Sequence, residues 1–190
     1  MMLSQAAQAM SAQLTGVDVS FDRVSIDTRS IQSGDLFVAI RGDRFDGHQY
    51  AGAAGEAGAC AVVVAEDVAT SVPVLRVADT RDALGKLAAA WADQYSLKRI
   101  AVTGNAGKTT VKEMTACLLG DHVLATEGNL NNDIGVPLTL FRVTDEYRFG
   151  VFELGANAPG EIAWTTSLVR PDVAMVTNVT GAHLEGIGSM

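Results

Sequence analysis

The chain has 190 residues, of which 48% are hydrophobic and 19% charged, with a formal net charge of −8. That balance excludes a disordered polymer and a general binder of nucleic acid or anionic membrane, and it leaves room for one large domain or two small ones. No basic leader with an apolar run opens the sequence and no stretch approaches a membrane span. Cys60 and Cys117 stand far apart as small buried hydrophobes. A cytoplasmic protein without disulfides is therefore expected.

In chain order, Leu3 to Leu14 patterns as a short amphipathic helix, and Val24–Ile26 and Leu36–Ile40 as strands. Between and after them lie Asp27-Thr28-Arg29 and the run Arg41 to His48, which contains Arg44, Phe45, Asp46 and Gly47. Two arginines and an aromatic suit a diphosphate or a base. Residue types alone favour an arginine–carboxylate network that fixes turns around a core Phe45. His48 to Ala59 is alanine- and glycine-rich and reads as helix, followed by strands at Ala61–Ala65 and Val74–Val77. Asp79 to Tyr95 is a further helix, capped by Asp79 or Thr80, with Ala83, Leu84, Leu87, Ala90 and Trp91 recurring at helical spacing. The polar stretch Tyr95–Lys98 marks a boundary between a domain of residues 1–95 and one of residues 96–190.

The second unit opens on a strand, Ile100–Thr103, that runs into Gly104-Asn105-Ala106-Gly107-Lys108-Thr109-Thr110. Glycines here let backbone N–H groups approach an anion, Lys108 adds a point charge, and the Thr109 hydroxyl suits a phosphate-bound Mg²⁺. Val102 replaces the first glycine of the long phosphate-loop pattern, so the match is to the shorter G-x-x-G-K-[ST] form. A helix follows, with Val111, Met114, Ala116, Cys117, Leu118 and Leu119 as its apolar face. Strands are expected at Val123–Thr126, Phe149–Leu154 and Val173–Thr177, and helices near Val136–Arg142 and Glu161–Leu168. The alternation defines an α/β protein, a small N-terminal α/β domain followed by an incomplete phosphate-loop α/β domain.

Ligands of open α/β sheets gather beyond the strand C-termini. Glu153 stands at such an end and is a candidate for holding Mg²⁺. His183, after the last strand, is either a loop histidine or a residue that orients a cation. The stretch Gly128 to Pro137, which includes Asn131 and Asn132, fits both a loop that caps a helix and a polar wall that reads a substrate.

Taken together these segments resemble the Mur ligases of bacterial peptidoglycan synthesis. The resemblance is carried by Asp27–Arg29, Gly34–Ala39, Arg44–His48, Thr103–Met114, Gly128–Pro137, Glu153–Asn157, Gly160–Trp164 and His183–Ser189. Val111–Met114 and Gly128–Pro137 are most similar to the members that add D-alanyl-D-alanine to UDP-N-acetylmuramoyl-tripeptide. Ala106 departs from the family, which often has serine or asparagine there. The resemblance implies an ATP- and Mg²⁺-dependent ligase that activates the tripeptide carboxylate as an acyl phosphate, which the dipeptide amine then attacks. It further implies that Gly104 to Thr110 hold the ATP phosphates and that Lys108, Glu153 and His183 are catalytic. Thr109, Glu153 and His183 would serve the metal, while Thr28, Arg29, Arg44–His48, Asn131 and Asn132 would face the substrate. The family's carbamylated lysine, adenine contacts and amino-substrate domain come later than Met190, so an N-terminal portion without activity of its own is expected. Other Mur or folylpolyglutamate-type ligases and a non-catalytic nucleotide-binding module are the alternatives. A monomer is expected.

Overall fold

Runs of β-branched and apolar residues become strands where helices cover both faces of a parallel sheet. The computed structural model describes residues 1–42, 45–156 and 158–179. Contacts divide the chain into two units, Met1–Ala90 and Trp91–Met190.

The first unit contains β1 (Gln13–Thr15), β2 (Val24–Ser25), β3 (Leu36–Val38), β4 (Ala61–Val64) and β5 (Val74–Arg76) in the order β1-β5-β4-β3-β2. All its pairs are parallel except β1 with β5. Every residue of β3 and β4 is buried, as expected for central strands covered on both sides. Phe37, Ala39, Val62 and Val64 pack against Ala51 and Ala54 of the short helix α2 (Ala51–Glu56). Helix α1 (Leu3–Met10) is shorter than its pattern suggested. Ser11 turns left-handed at φ 54° and the chain leaves into β1, so Leu14 is a strand residue. The expected helix over His48–Ala59 is also split: a 3₁₀ turn at Gly47–Tyr50 precedes α2. Helix α3 (Thr80–Ala92) is capped by Asp79, whose Oδ1 accepts from the N–H groups of Arg81 and Asp82.

The second unit is built on a four-stranded parallel sheet with the order β7-β8-β6-β9, comprising β6 (Lys98–Thr103), β7 (Val123–Ala125), β8 (Phe149–Glu153) and β9 (Val173–Val176). Helices α4 (Lys108–Leu119), α5 (Gly135–Leu140) and α6 (Glu161–Val169) connect them. Trp91 anchors the interior: its indole N–H donates to the Val143 carbonyl and its ring meets Phe141 edge-on at 6.1 Å between centroids. Arg99 is buried and donates to the Val169 carbonyl and to Asp93.

The inward face of α4 is rotated from the expected one: Val111, Ala116 and Leu119 are half-buried as expected, while three of the six expected residues are not. Met114 (60% exposed), Cys117 and Leu118 (85% exposed) point outward, and the buried residue is Lys112. The inward stripe runs through Lys112, Thr115, Ala116 and Leu119 at helical spacing, with the lysine where an apolar residue would normally stand. Cys117 is accordingly exposed, not a core residue. All four residues of β9, an edge strand of this sheet, are exposed. Among the described residues no helix is long and apolar enough to cross a membrane.

Candidate functional site

The register of the second sheet brings three strand ends to one place. Val102 of β6 pairs with Glu153 of β8, and Thr103 pairs with Val176 of β9. The glycine loop leaves β6 there and enters α4 through Gly107 at φ 81°, a left-handed position without a side-chain cap. The N–H groups of the first turn of α4 therefore face outward as donors, at the positive end of the helix. Lys108 Nζ lies 2.7 Å from the Gly104 carbonyl, folded back along the loop.

Glu153 is 3% exposed, which removes the alternative of a solvated strand end. Its Oε2 accepts from the Thr109 hydroxyl at 2.8 Å and its Oε1 from the Asn131 side-chain amide at 2.8 Å. Both donors are neutral, and a buried carboxylate held by neutral donors calls for a cation. A carboxylate beside a hydroxyl is a hard oxygen donor set, the chemistry that suits Mg²⁺. Asn131 thus joins the site. The Asn132 Oδ1 accepts from the N–H groups of Ile134 and Gly135 where the loop enters α5. Arg44, Asn157 and His183 lie outside the described residues.

Two residues that the sequence did not single out brace the glycine loop. The Asn178 side-chain oxygen accepts from the N–H groups of Asn105 and Ala106, each at 3.0 Å, and the Thr177 hydroxyl donates to the Ala106 carbonyl at 2.7 Å. The Asn105 and Ala106 N–H groups are therefore engaged inside the chain. The signal was an Asn after a strand, too common to read alone.

In the first unit a cavity of about 470 Å³ is lined by Ile26, Asp27, Thr28, Arg29, Phe37, Phe45, Gly47 and Tyr50. Phe45 is 59% exposed at this cavity and is not a core residue. Arg29 is held by Asp27 through Nε and Nη2, as the arginine–carboxylate network required, and this pair holds the Asp27 carboxyl down to about 2.

Asp46 and His48 are tied to each other and to the backbone of the first unit. His48 is buried; its Nδ1 meets Asp46 Oδ1 at 2.6 Å and its Nε2 accepts from the Ala65 N–H at 2.9 Å. That acceptor role fixes a neutral ring with its proton on Nδ1. Glu66 comes close to this pair. Arg41 already bridges Asp46 at 2.6 Å and Glu66 at 2.8 Å, so the cluster carries its own cation. The backbone N–H and ring of His48, with Arg41, lower the Asp46 carboxyl from its ordinary 3.8 to about 2. Because the folded value is the lower one, its contribution to stability is full above about pH 4 and disappears as pH falls toward 2. Asp46→Asn is expected to flatten the stability profile in that window, as read by acid titration of the circular dichroism.

The two units and the loop define the phosphate-loop class of α/β proteins. Residues 20–92 match the Mur ligase family catalytic domain and residues 102–190 the Mur ligase middle domain. The chain is 50% identical to the UDP-N-acetylmuramoyl-tripeptide--D-alanyl-D-alanine ligase of Escherichia coli (strain K12), over 99% of this chain and 42% of that protein. It is 49% identical to the ligase of the same name from Haemophilus influenzae, over 98% and 42%. Among solved structures, MurF from Acinetobacter baumannii superimposes with a TM-score of 0.89 at 39% identity, covering 98% of this chain and 42% of that one. MurF from Thermotoga maritima in complex with ADP gives 0.79 at 35% identity, covering 85% and 38%. The chain belongs to the Mur ligase family. It spans about 42% of the length of these curated relatives.

Proposed function

We propose that the chain forms the UDP-precursor domain and part of the ATP domain of a ligase that joins D-alanyl-D-alanine to UDP-N-acetylmuramoyl-tripeptide. The observation that carries this is the buried Glu153 carboxylate meeting the Thr109 hydroxyl at the mouth of the glycine loop. The relatives' names supply the substrates, and the ADP complex of the Thermotoga maritima protein supports a nucleotide at the loop.

On this reading the N–H groups of Gly107 to Thr110 and the Lys108 ammonium take the triphosphate, and Lys108 neutralises charge that develops on the transferred phosphoryl. Thr109 and Glu153 hold Mg²⁺, which, when bound, screens the phosphates against the incoming carboxylate. The tripeptide carboxylate attacks the γ-phosphorus and ADP leaves; the dipeptide amine then attacks the acyl carbon and phosphate leaves. The cavity at Thr28, Arg29, Phe45 and Tyr50 offers aromatic faces and a guanidinium, which suit a uridine nucleotide. Ligation is proposed for a protein that contains this chain. The protein would act in the cytoplasm, where the nucleotide precursors are made.

Glu153→Gln keeps the shape and removes the charge. It is expected to abolish the Mg²⁺ dependence of ATP binding in isothermal titration, while thermal protection by UDP-N-acetylmuramoyl-tripeptide persists. Equal ATP affinity with and without Mg²⁺ in the wild type would sink the assignment.

A further inference from the structure

Lys112 is 1% exposed, and the function proposed above does not use its ammonium. Nζ donates to the Thr126 carbonyl at 2.6 Å and meets Glu113 Oε1 at 2.8 Å. Taking an ammonium out of water carries a penalty that pairing offsets only in part, and an apolar residue of similar volume is often as stable or more so. Packing alone would therefore place methionine or leucine here.

The surroundings of Thr126 show what the lysine holds. The Thr126 N–H donates to the Val151 carbonyl at 3.0 Å, and the Thr126 hydroxyl oxygen accepts from the Glu153 N–H at 3.0 Å. Thr126 is thus gripped from α4 by Lys112 and itself grips the backbone of Glu153. One turn earlier on α4, Thr109 reaches the carboxylate of the same glutamate. Two ties from one helix, three residues apart, define where Glu153 stands relative to the glycine loop. Glu113, the lysine's ion-pair partner, is largely exposed and stands apart from that carboxylate's own partners, Thr109 and Asn131.

We propose that Lys112 is a positioning residue that, through Thr126, sets the Glu153 carboxylate against Thr109 at the glycine loop. This rests on the assignment of Thr109 and Glu153 as a cation site. Outer partners of metal ligands typically change metal affinity by about 10- to 100-fold.

The test is a double-mutant cycle in the 190-residue chain, read by Mn²⁺·ATP binding in electron paramagnetic resonance and by hydrogen exchange at the Glu153 amide. Lys112→Met is expected to melt near the wild type, to speed exchange at Glu153, and to weaken Mn²⁺·ATP binding about tenfold. In a Glu153→Gln background the same change is expected to alter binding by less than about twofold. Thr126→Val, which removes the hydroxyl and keeps the shape, is expected to reproduce the weakening and serves if Lys112→Met does not fold. Unchanged affinity in the folded variants, or equal weakening with and without Glu153, overturns the proposal and leaves the cation site standing. A wild type that binds no Mn²⁺·ATP overturns the cation site and the proposal with it.

Discussion

Lys108→Ala is expected to weaken ATP binding about a hundredfold (~2.7 kcal/mol) and to leave affinity for the UDP-precursor unchanged. The ammonium is the one charged side chain on the glycine loop, and its only described hydrogen bond goes to the Gly104 carbonyl, so little of the fold depends on it. The cavity lined by Thr28, Phe45 and Tyr50 belongs to the first unit, whereas Lys108 belongs to the second. Titration of the variant with each ligand separates the two sites. A parallel loss of both affinities would mean that the substitution had damaged the whole chain.

Gly104→Ala is expected to lose both ATP binding and stability. Gly104 sits at φ +130°, a conformation that L side chains rarely adopt, and an added Cβ would fall 2.2 Å from the Thr177 hydroxyl oxygen and 2.9 Å from the Asn178 carbonyl oxygen. The loop cannot shift away without breaking the bonds from Asn105 and Ala106 to Asn178. Strain and lost hydrogen bonds together amount to about 3 kcal/mol, enough to lower the melting temperature by several degrees. A melting curve that overlays the wild type would show that Thr177 and Asn178 are not a brace.

What the sequence made legible follows from distance along the chain. The strand, glycine loop and helix of residues 98–119 are contiguous, and local pattern sufficed to place Gly107, Lys108 and Thr109. β4 was legible because a central parallel strand is apolar at every position. Glu153 was legible by its place at a strand end, and Asn131 by type alone. The brace at Thr177 and Asn178 was not legible, because it joins segments more than 70 residues apart through groups that look like any strand exit. Lys112 misled for a different reason. A charged residue counts toward the solvent face of a helix, and only the fold shows that the inward stripe passes through it. β1 was hidden by its length, three residues whose partner β5 lies about sixty positions later.

The tryptophan that ties α3 to the Val143 carbonyl has a practical consequence for anyone who follows unfolding by light. The sequence has two tryptophans, Trp91 and Trp164, and both fall in the unit that carries the glycine loop. Trp91 stands in the last turn of α3, whose earlier residues belong to the other unit, so Trp164 is the cleaner reporter of the half with the glycine loop, and indole emission is weighted toward that half. Ellipticity sums over both. If the halves melt independently, the emission trace will follow mainly one step and the ellipticity trace two, and adding ATP will move only the transition that dominates emission.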